Sequence, residues 1–526
     1  MPDKYYLTTP LYYVNSKPHI GHAYTQIAAD TLARYQRLLG KDVKFLTGTD
    51  EHGQKIERAA REAGMEPQAF TDKMSGMFRE LWTSLNVENF EFIRTTEARH
   101  KQAVVAVWTK LHETKQIYTT TYDGWYCTPD ETFHTDGVVL HENGQVLCPD
   151  CRRPVEKIKE ENYFFKLADH QAWLTQEISE GKNLKILPET RKNEVLGFLK
   201  TQNLQDLCIS RPKQRLSWGI PSPLNPEYVT YVWFDALINY ITASGYGSPK
   251  GIDKSWPADV HLIGKDILRH HAVYWPILLK ALGLPLPKMI FAHGWWVVDG
   301  QKMSKSRGNA TDPRDIISVY GVDAFRYFLL RETPFGSDGT FSDEALITRY
   351  NADLANGLGN LLSRTLTMCE KYFNGKIPKV DLSKEYLNGK SFTEAQKDPS
   401  IRDNQKGFLA LSNGLELGIE DLQRRLDGPM AELAFSEALE CIWVLVGRAN
   451  EYIEVSAPWK MAKEGKQKDL EVAISCLVRV LDALAKAIGP FMPETAKKMS
   501  AQLGVESGKV AKGTSLFPRI ETQKKS

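Results

Sequence analysis

Residues 5–22 read Tyr5-Tyr6-Leu7-Thr8-Thr9-Pro10-Leu11-Tyr12-Tyr13-Val14-Asn15-Ser16-Lys17-Pro18-His19-Ile20-Gly21-His22. The first five are a β-rich run, and a loop with Pro, Asn and Ser follows. Ile20, Tyr24, Ile27, Thr31, Leu32, Tyr35 and Leu39 then recur at helical spacing until Gly40 stops the pattern. Val43 to Thr47 reads as the next strand, so the chain opens as strand, loop, helix, strand. Such a unit implies a parallel sheet with phosphate-facing loops at the strand ends.

Working outward, a second strand-rich stretch begins near Tyr228, with further strands at Val260 to Ile263 and Met289 to Ala292. The nucleotide-type sheet is therefore split in two. Between its halves, roughly 118–225, turns, Cys, Pro and short strands indicate an inserted domain. From Asn351 onward, helical periodicity dominates in Ala352 to Tyr372, Ala431 to Tyr452 and Leu470 to Ile488, and the charged stretch Lys376 to Lys406 reads as a connection or surface loop. The expected layout is 1–117 and 226–312 for the two halves of the catalytic domain, 118–225 for the insert, 313–360 for a linker region, and 361–526 for an α-helical bundle.

Composition excludes several classes. Of 526 residues, 42% are hydrophobic and 25% charged, the proportions of an ordinary globular protein rather than a disordered or fibrous one. The longest apolar run, Ala272 to Leu279, contains Pro276 and falls far short of the roughly 20 residues a membrane helix needs. The start of the chain lacks a basic stretch followed by an apolar one, so a cytoplasmic protein is expected. With 67 Lys+Arg against 65 Asp+Glu the chain has no uniformly basic coat. That near-neutrality hides a contrast: 408–456 holds 3 basic and 9 acidic residues, whereas 457–526 holds 13 and 7.

Two short motifs carry phosphate chemistry. His19-Ile20-Gly21-His22 sits at the start of the first helix, where Gly lets a phosphate approach the backbone and the helix dipole favours negative charge. Alone, two such histidines could equally pack in a helix entry. Lys302-Met303-Ser304-Lys305-Ser306-Arg307-Gly308 puts three cations and two hydroxyls on one loop, which suits a clamp on a polyphosphate. Alone, a basic loop is more often a solvated surface, but its pairing with the His motif on a split sheet favours the functional reading.

With both motifs in this order, the chain resembles the class I aminoacyl-tRNA synthetases, and within them the methionyl-tRNA synthetase family, over nearly its whole length. The resemblance rests on Thr9-Pro10-Leu11-Tyr12-Tyr13-Val14-Asn15, Gly48-Thr49-Asp50-Glu51-His52-Gly53, Tyr231-Val232-Trp233-Phe234-Asp235-Ala236, Ile263-Gly264-Lys265-Asp266 and Ser456-Ala457-Pro458-Trp459. It implies an α/β fold: a split Rossmann-type parallel-sheet catalytic domain with a small zinc-knuckle insert and a C-terminal α-helical bundle. It also implies a methionine–tRNA ligase that uses ATP with Mg2+ to form methionyl-adenylate and pyrophosphate. Methionyl then passes to the 3′-terminal adenosine of tRNA(Met), including initiator tRNA, for translation initiation and elongation.

The same resemblance assigns candidate residues. His19 and His22 would face the ATP phosphates, and Lys302 and Lys305 the pyrophosphate, with Gly21, Met303, Ser304 and Ser306 beside them. Gly264 and Asp266 would contact adenosine. Asp50 would hold the methionine ammonium, while Pro10, Leu11, Tyr13, Trp233, Ala236, Tyr240, Ile267, His271 and Trp275 would form the slot for its thioether. Sulfur–aromatic contacts suit that substrate at about 0.3–1.5 kcal/mol each. Ile267, His271 and Trp275 are four apart and are expected on one helix face. Leu237 stands where some relatives carry Pro. Because an apolar slot separates near-isosteres by only about 1–3 kcal/mol per methylene, homocysteine is also expected to be activated.

In the insert, Cys127-x-x-Asp130 and Cys148-x-x-Cys151 have the spacing of tetrahedral zinc, with Asp130 where many relatives carry Cys. A metal-free knuckle, His134 or His141 in place of Asp130, and a redox pair of Cys148 and Cys151 are the alternatives. In the helical part, Asn360 and Arg364 are four apart and, with Trp459, are the family's anticodon readers. Gly357-Leu358-Gly359 lies inside a helical pattern with no preceding strand, so it is not a dinucleotide loop. The end of the sequence at Ser526 leads to the expectation of a monomer. Rival readings are a class I synthetase for another apolar amino acid, which typically carries a larger insert, and a catalytically dead tRNA-binding relative, in which some signature charges would be lost.

Overall fold

The computed structural model describes residues 2–128, 132–134, 136–142, 144–149, 151–298, 301–302, 312–380, 397 and 403–521. They fall into two compact units divided between Trp295 and Trp296.

The first unit is built on six parallel strands, β1 Lys4–Tyr13, β2 Asp42–Asp50, β3 Glu91–Arg94, β4 Lys185–Leu187, β5 Val260–Gly264 and β6 Met289–His293, in the order β3-β2-β1-β5-β6-β4. Residues Tyr6 to Pro10 of β1 are all buried, the signature of a central strand covered on both faces rather than an alternating one. Strand order reverses between β1 and β5. In open α/β sheets the crevice outside the carboxyl ends of the strands at such a reversal is where ligands bind.

One irregularity in β1 matters for the site. Its ladder to β2 runs from Lys4↔Asp42 to Thr8↔Leu46 and resumes at Leu11↔Gly48, so β1 holds one extra residue. Pro10 lies in that gap, and a proline has no N–H to give to a ladder. The bulge resets the alternation and sets Tyr13 beside Asp50 at the strand ends. Gly48 is required by packing: a Cβ there would lie 2.0 Å from the Ile93 carbonyl oxygen of β3.

The stretch 118–225 does not remain in one body. Strand Ile117–Cys127 pairs antiparallel with Glu156–Phe165 from Ile117↔Phe165 to Tyr126↔Glu156, and Leu207–Cys208 and Thr132–His134 flank them. Between these, helices Gln171–Glu180 and Glu189–Thr201 bracket β4, which returns to the main sheet as its edge. The sequence concealed this because β4 is only three residues long. One apolar core joins both parts: Trp108, Phe165, Ile186, Tyr240 and Trp275 belong to the same buried cluster.

The second unit is mainly helical. After a small sheet of Trp296–Val298, Gln301–Lys302 and Gly339–Thr340, its long helices are Asn360–Phe373, Asp403–Ala431, Phe435–Ser456 and Gln467–Ile488. Two differ from the periodicity reading. Residues Asp403–Ala431 form a 29-residue helix that includes the end of the supposed connection, and the following helix begins at Phe435, not Ala431. Buried Arg326 donates from Nε to the Phe491 carbonyl at 2.8 Å and from an NH2 group to the Pro490 carbonyl at 3.1 Å, fixing helix Val322–Arg331 against the end of the bundle.

Candidate active site, knuckle and anticodon patch

The helix after β1, α1 Ile20–Leu38, begins with a cap made of two imidazoles. His19 Nδ1 accepts from the Gly21 N–H at 3.1 Å, and His22 Nδ1 accepts from the His19 N–H at 3.1 Å. The rings lie 3.9 Å apart, and a Cβ on Gly21 would meet His19 Cε1 at 2.9 Å. Since each Nδ1 is an acceptor, the proton of each neutral ring belongs on Nε2. Two N–H donors at a helix N-terminus, beyond the end of a parallel strand at the strand-order reversal, form an anion-binding corner.

The other candidates stand at the same carboxyl edge of the sheet. Asp50 ends β2 and is 6% exposed. Gly264 ends β5, and a Cβ there would lie 2.6 Å from Asp266 Oδ1, which accepts from Trp295 Nε1 at 3.2 Å. Lys302 lies in the second unit's small sheet, while Met303, Ser304, Lys305 and Ser306 lie outside the described residues.

Of the predicted slot residues, Tyr240 lies against both His271 and Trp275. His271 Nδ1–H donates to the Ile267 carbonyl at 3.0 Å, so its Nε2 accepts from the Tyr240 hydroxyl at 2.8 Å. Burial pushes the His271 pKa down to about 4, with the carbonyl opposing the shift. Trp275 is fully buried, 5.6 Å from the Tyr240 ring, and its Nε1–H donates to His261 Nε2 at 3.1 Å. Trp233 stacks on His270 at 3.8 Å. Ile267, His271 and Trp275 are not carried by one regular α-helix: a 3₁₀ turn at Lys265–Ile267 and a π-helical turn at His270–Tyr274 precede the α-helix at Trp275–Leu282. Such π turns widen the winding and are frequent at functional sites.

Several ordered polar groups around this site escaped the residue-by-residue sequence reading. His52 and Asp235 lay inside quoted motifs, but nothing in spacing showed that they meet. Asp235, fully buried on helix Val232–Leu237, accepts from His52 Nδ1 at 2.7 Å and from His100 Nε2 at 2.6 Å. Burial raises its pKa, but the two imidazoles outweigh that and hold it below the ordinary carboxylate value. Glu51 takes a two-pronged contact from Arg94 at 2.6 and 2.8 Å. His293, at the end of β6, donates from Nδ1 to the Gly294 carbonyl and accepts from Thr25 of α1, both at 2.7 Å. His100, 48 positions beyond His52 in the chain, carried no sequence signal.

In the insert, Cys127, Cys148 and Cys151 place their sulfurs within 4.8 Å of one another, and Cys127 and Cys148 are fully buried. The Cys127–Cys151 sulfur separation is 3.5 Å, too long for a disulfide and close to the roughly 3.8 Å edge of a tetrahedron with zinc–sulfur bonds of about 2.3 Å. The three donors therefore fit a soft tetrahedral ion. His134 Nε2 lies 3.2 Å from Cys148 Sγ but is not part of the three-sulfur group. Asp130 lies outside the described residues.

In the second unit, Asn360 is exposed at the start of its helix, and the Arg364 guanidinium lies 5.8 Å from the Trp459 ring. Trp459 is 39% exposed after the helix break at Ala457-Pro458, so it is not a core residue. Arg364 also pairs with Glu454 at 2.5 Å. No helix among the described residues is long and apolar enough to cross a membrane.

Comparison with known proteins identifies the family. Residues 5–366 match the family described as tRNA synthetases class I (M), and 406–516 match the anticodon binding domain of methionyl tRNA ligase. The fold is thus that of a class I aminoacyl-tRNA synthetase. The methionine–tRNA ligase of Caldanaerobacter subterraneus subsp. tengcongensis is 46% identical over all of this chain and 80% of its own length, and that of Bacillus subtilis is 42% identical over 99% and 78%. A solved Mycobacterium tuberculosis methionyl-tRNA synthetase in complex with methionyl-adenylate is 38% identical, with a TM-score of 0.88 over 98% of this chain and 100% of that one. The chain belongs to the methionyl-tRNA synthetase family, whose reaction joins methionine to its tRNA at the expense of ATP.

Proposed function

We infer that this chain carries out that reaction in the cytoplasm, in two displacements at the carboxyl edge of its parallel sheet. The observation that supports it best is the paired-imidazole cap of α1 at the strand-order reversal. A methionine carboxylate oxygen attacks the α-phosphorus of ATP, and pyrophosphate leaves with the bonding electron pair. A ribose hydroxyl of the tRNA 3′ adenosine then attacks the carbonyl, and AMP departs. Neither step needs a covalent enzyme intermediate, so orientation and charge stabilisation supply most of the rate.

His19 and His22, with Gly21, hold phosphate oxygens through Nε2–H groups. By resemblance, Lys302 and Lys305 neutralise the leaving pyrophosphate, with Met303, Ser304 and Ser306 as their loop. Gly264 and Asp266 seat the adenosine. Asp50 binds the ammonium, and Pro10, Leu11, Tyr13, Trp233, Ala236, Tyr240, Ile267, His271 and Trp275 enclose the side chain. Mg2+, when bound, spreads the polyphosphate charge. A neutral His271 suits this slot because an imidazolium would repel the substrate ammonium and demand its own solvation. Methionine-dependent ATP–pyrophosphate exchange, set against leucine, isoleucine and valine, tests the reading: exchange with methionine far above the others is expected, and equal exchange with any of them overturns it.

Cys127, Cys148 and Cys151 would hold one zinc ion, with Asp130 as the fourth donor, and the ion would tie down a small loop-rich body. Elemental analysis of protein prepared without chelator should find one zinc per chain; a value well below one refutes this site. Asn360, Arg364 and Trp459 present an amide, a guanidinium and an aromatic face, which together can stack and hydrogen-bond the unstacked anticodon bases of tRNA(Met).

A further inference from the structure

Asp235 ties together three chain segments by hydrogen bonds. It belongs to helix Val232–Leu237, which also carries the slot residues Trp233 and Ala236. One carboxylate oxygen takes the imidazole N–H of His52, two residues past Asp50, at 2.7 Å. The other takes the N–H of His100, from the first turn of helix Ala98–Glu113, at 2.6 Å. His100 is completed by Thr242, whose hydroxyl lies 3.2 Å from its Nδ1. None of the three side chains reaches bulk water: His52 is 2% exposed, and His100 and Asp235 are fully buried.

The loop after β2 is pinned on its other side as well. Its Glu51 N–H donates to Thr95 Oγ1 at 3.0 Å, its carboxylate meets Arg94, and Trp218 Nε1 donates to the Glu51 carbonyl at 2.6 Å while the indole ring packs 5.5 Å from His52. Between this loop and the helix of the slot, His52 and Asp235 form a direct side-chain hydrogen bond. A buried charged hydrogen bond of this kind specifies geometry, and removing one partner leaves the other unsatisfied.

We propose that His52, Asp235 and His100 form a positioning brace that sets the distance between the methionine ammonium anchor at Asp50 and the thioether slot at Trp233 and Ala236, so that it governs affinity for methionine rather than for ATP. The proposal rests on the assignment of Asp50, Trp233 and Ala236 to methionine given above. Neither histidine nor Asp235 touches the reacting atoms in this account. The brace acts on the substrate's two ends at once: if the loop drifts from the helix, an amino acid can satisfy the carboxylate or fill the slot, but not both.

The test is steady-state ATP–pyrophosphate exchange with the full chain, varying methionine and ATP separately, alongside thermal unfolding. His52→Ala should raise the KM for methionine about tenfold or more while the KM for ATP stays within about twofold. In His52→Asn the amide N–H stands near the lost Nδ1–H, so most of the methionine affinity should return. Asp235→Asn keeps the volume and removes one acceptor; it should reproduce the methionine-specific loss even if His52→Ala does not fold. A KM for methionine within about twofold of wild type in both His52→Ala and Asp235→Asn overturns the proposal, as does a parallel rise in the KM for ATP or a defect His52→Asn does not relieve. Failure of the underlying assignment looks different: the unaltered protein shows no methionine-dependent exchange, or Asp50→Ala leaves its KM for methionine unchanged.

Discussion

The proposed methionine slot in the first unit and the proposed anticodon patch in the second are built in opposite ways. In the slot, Tyr240, His271 and Trp275 are at most 2% exposed and hydrogen-bonded to one another, to backbone or to the His261 ring. In the patch, Trp459 is 39% exposed, and Asn360 stands open on the first turn of its helix. A small apolar substrate is distinguished by a preformed shape, so its site has to be rigid and dry. Unstacked bases bring their own large faces, so the protein needs only to present an aromatic plane and donors at the surface. One site selects by burial before binding, the other by burial on binding.

That contrast can be broken by experiment, and the largest effect should fall on the chemistry. Lys305→Ala should lower the rate of methionine-dependent exchange by about 10²-fold or more, as loss of one preorganised charge donor does, with little change in tRNA binding. A rate within about threefold of wild type would remove the signature loop from the mechanism, since losing a preorganised charge donor costs about 10²-fold or more.

Next in size is acid sensitivity, which belongs to the buried site alone. His271, His261 and His293 all have depressed pKa values because burial disfavours the imidazolium. A histidine depressed in the folded state stabilises the fold above its unfolded pKa near 6.5, and this contribution shrinks as pH falls below that value, because the unfolded chain binds the proton first. For His271, at about 4, the loss between pH 7 and pH 5 is about 2 kcal/mol. Thermal unfolding of the first unit should therefore shift downward across that range, whereas a pH-independent midpoint would show that these rings are not buried neutral.

Smaller effects should mark the patch. Trp459→Ala should raise the KM for tRNA about tenfold, in keeping with about 1–3 kcal/mol for one stacked base, and leave exchange without tRNA unchanged. If exchange falls in step, Trp459 supports the fold instead. The smallest effect is electrostatic: the 13 basic against 7 acidic residues of 457–526 predict that tRNA affinity falls with salt through a limited number of phosphate contacts. A salt-independent affinity, measured by filter binding, would remove phosphate contacts from the account.

Different features were legible to different degrees. The β-loop-α-β opening was readable because hydrophobic periodicity is local, and the His motif because helix starts are marked by short-range caps. Its capping geometry, with each Nδ1 on a neighbouring backbone N–H, was not readable, since imidazole orientation depends on which partner is in reach. The zinc-type spacing of Cys148 and Cys151 was visible, whereas the approach of Cys127 to within 3.5 Å of Cys151 required strand Ile117–Cys127 to lie along Glu156–Phe165. The long helix Asp403–Ala431 went unread in part because Pro429 and four glycines interrupt its pattern. Neighbouring helices, not propensity, sustain it.

By itself, the sequence determined the alternation of strands and helices, the two signature motifs and, through family resemblance, the chemistry. These are statements about residues near one another in the chain, where spacing alone encodes geometry. Only the tertiary structure decided that a bulge at Pro10 sets Tyr13 beside Asp50, that Lys185–Leu187 returns to the sheet, and that His52, His100 and Asp235 meet. Each brings together groups far apart in sequence, and such contacts are selected by the packing of the whole core.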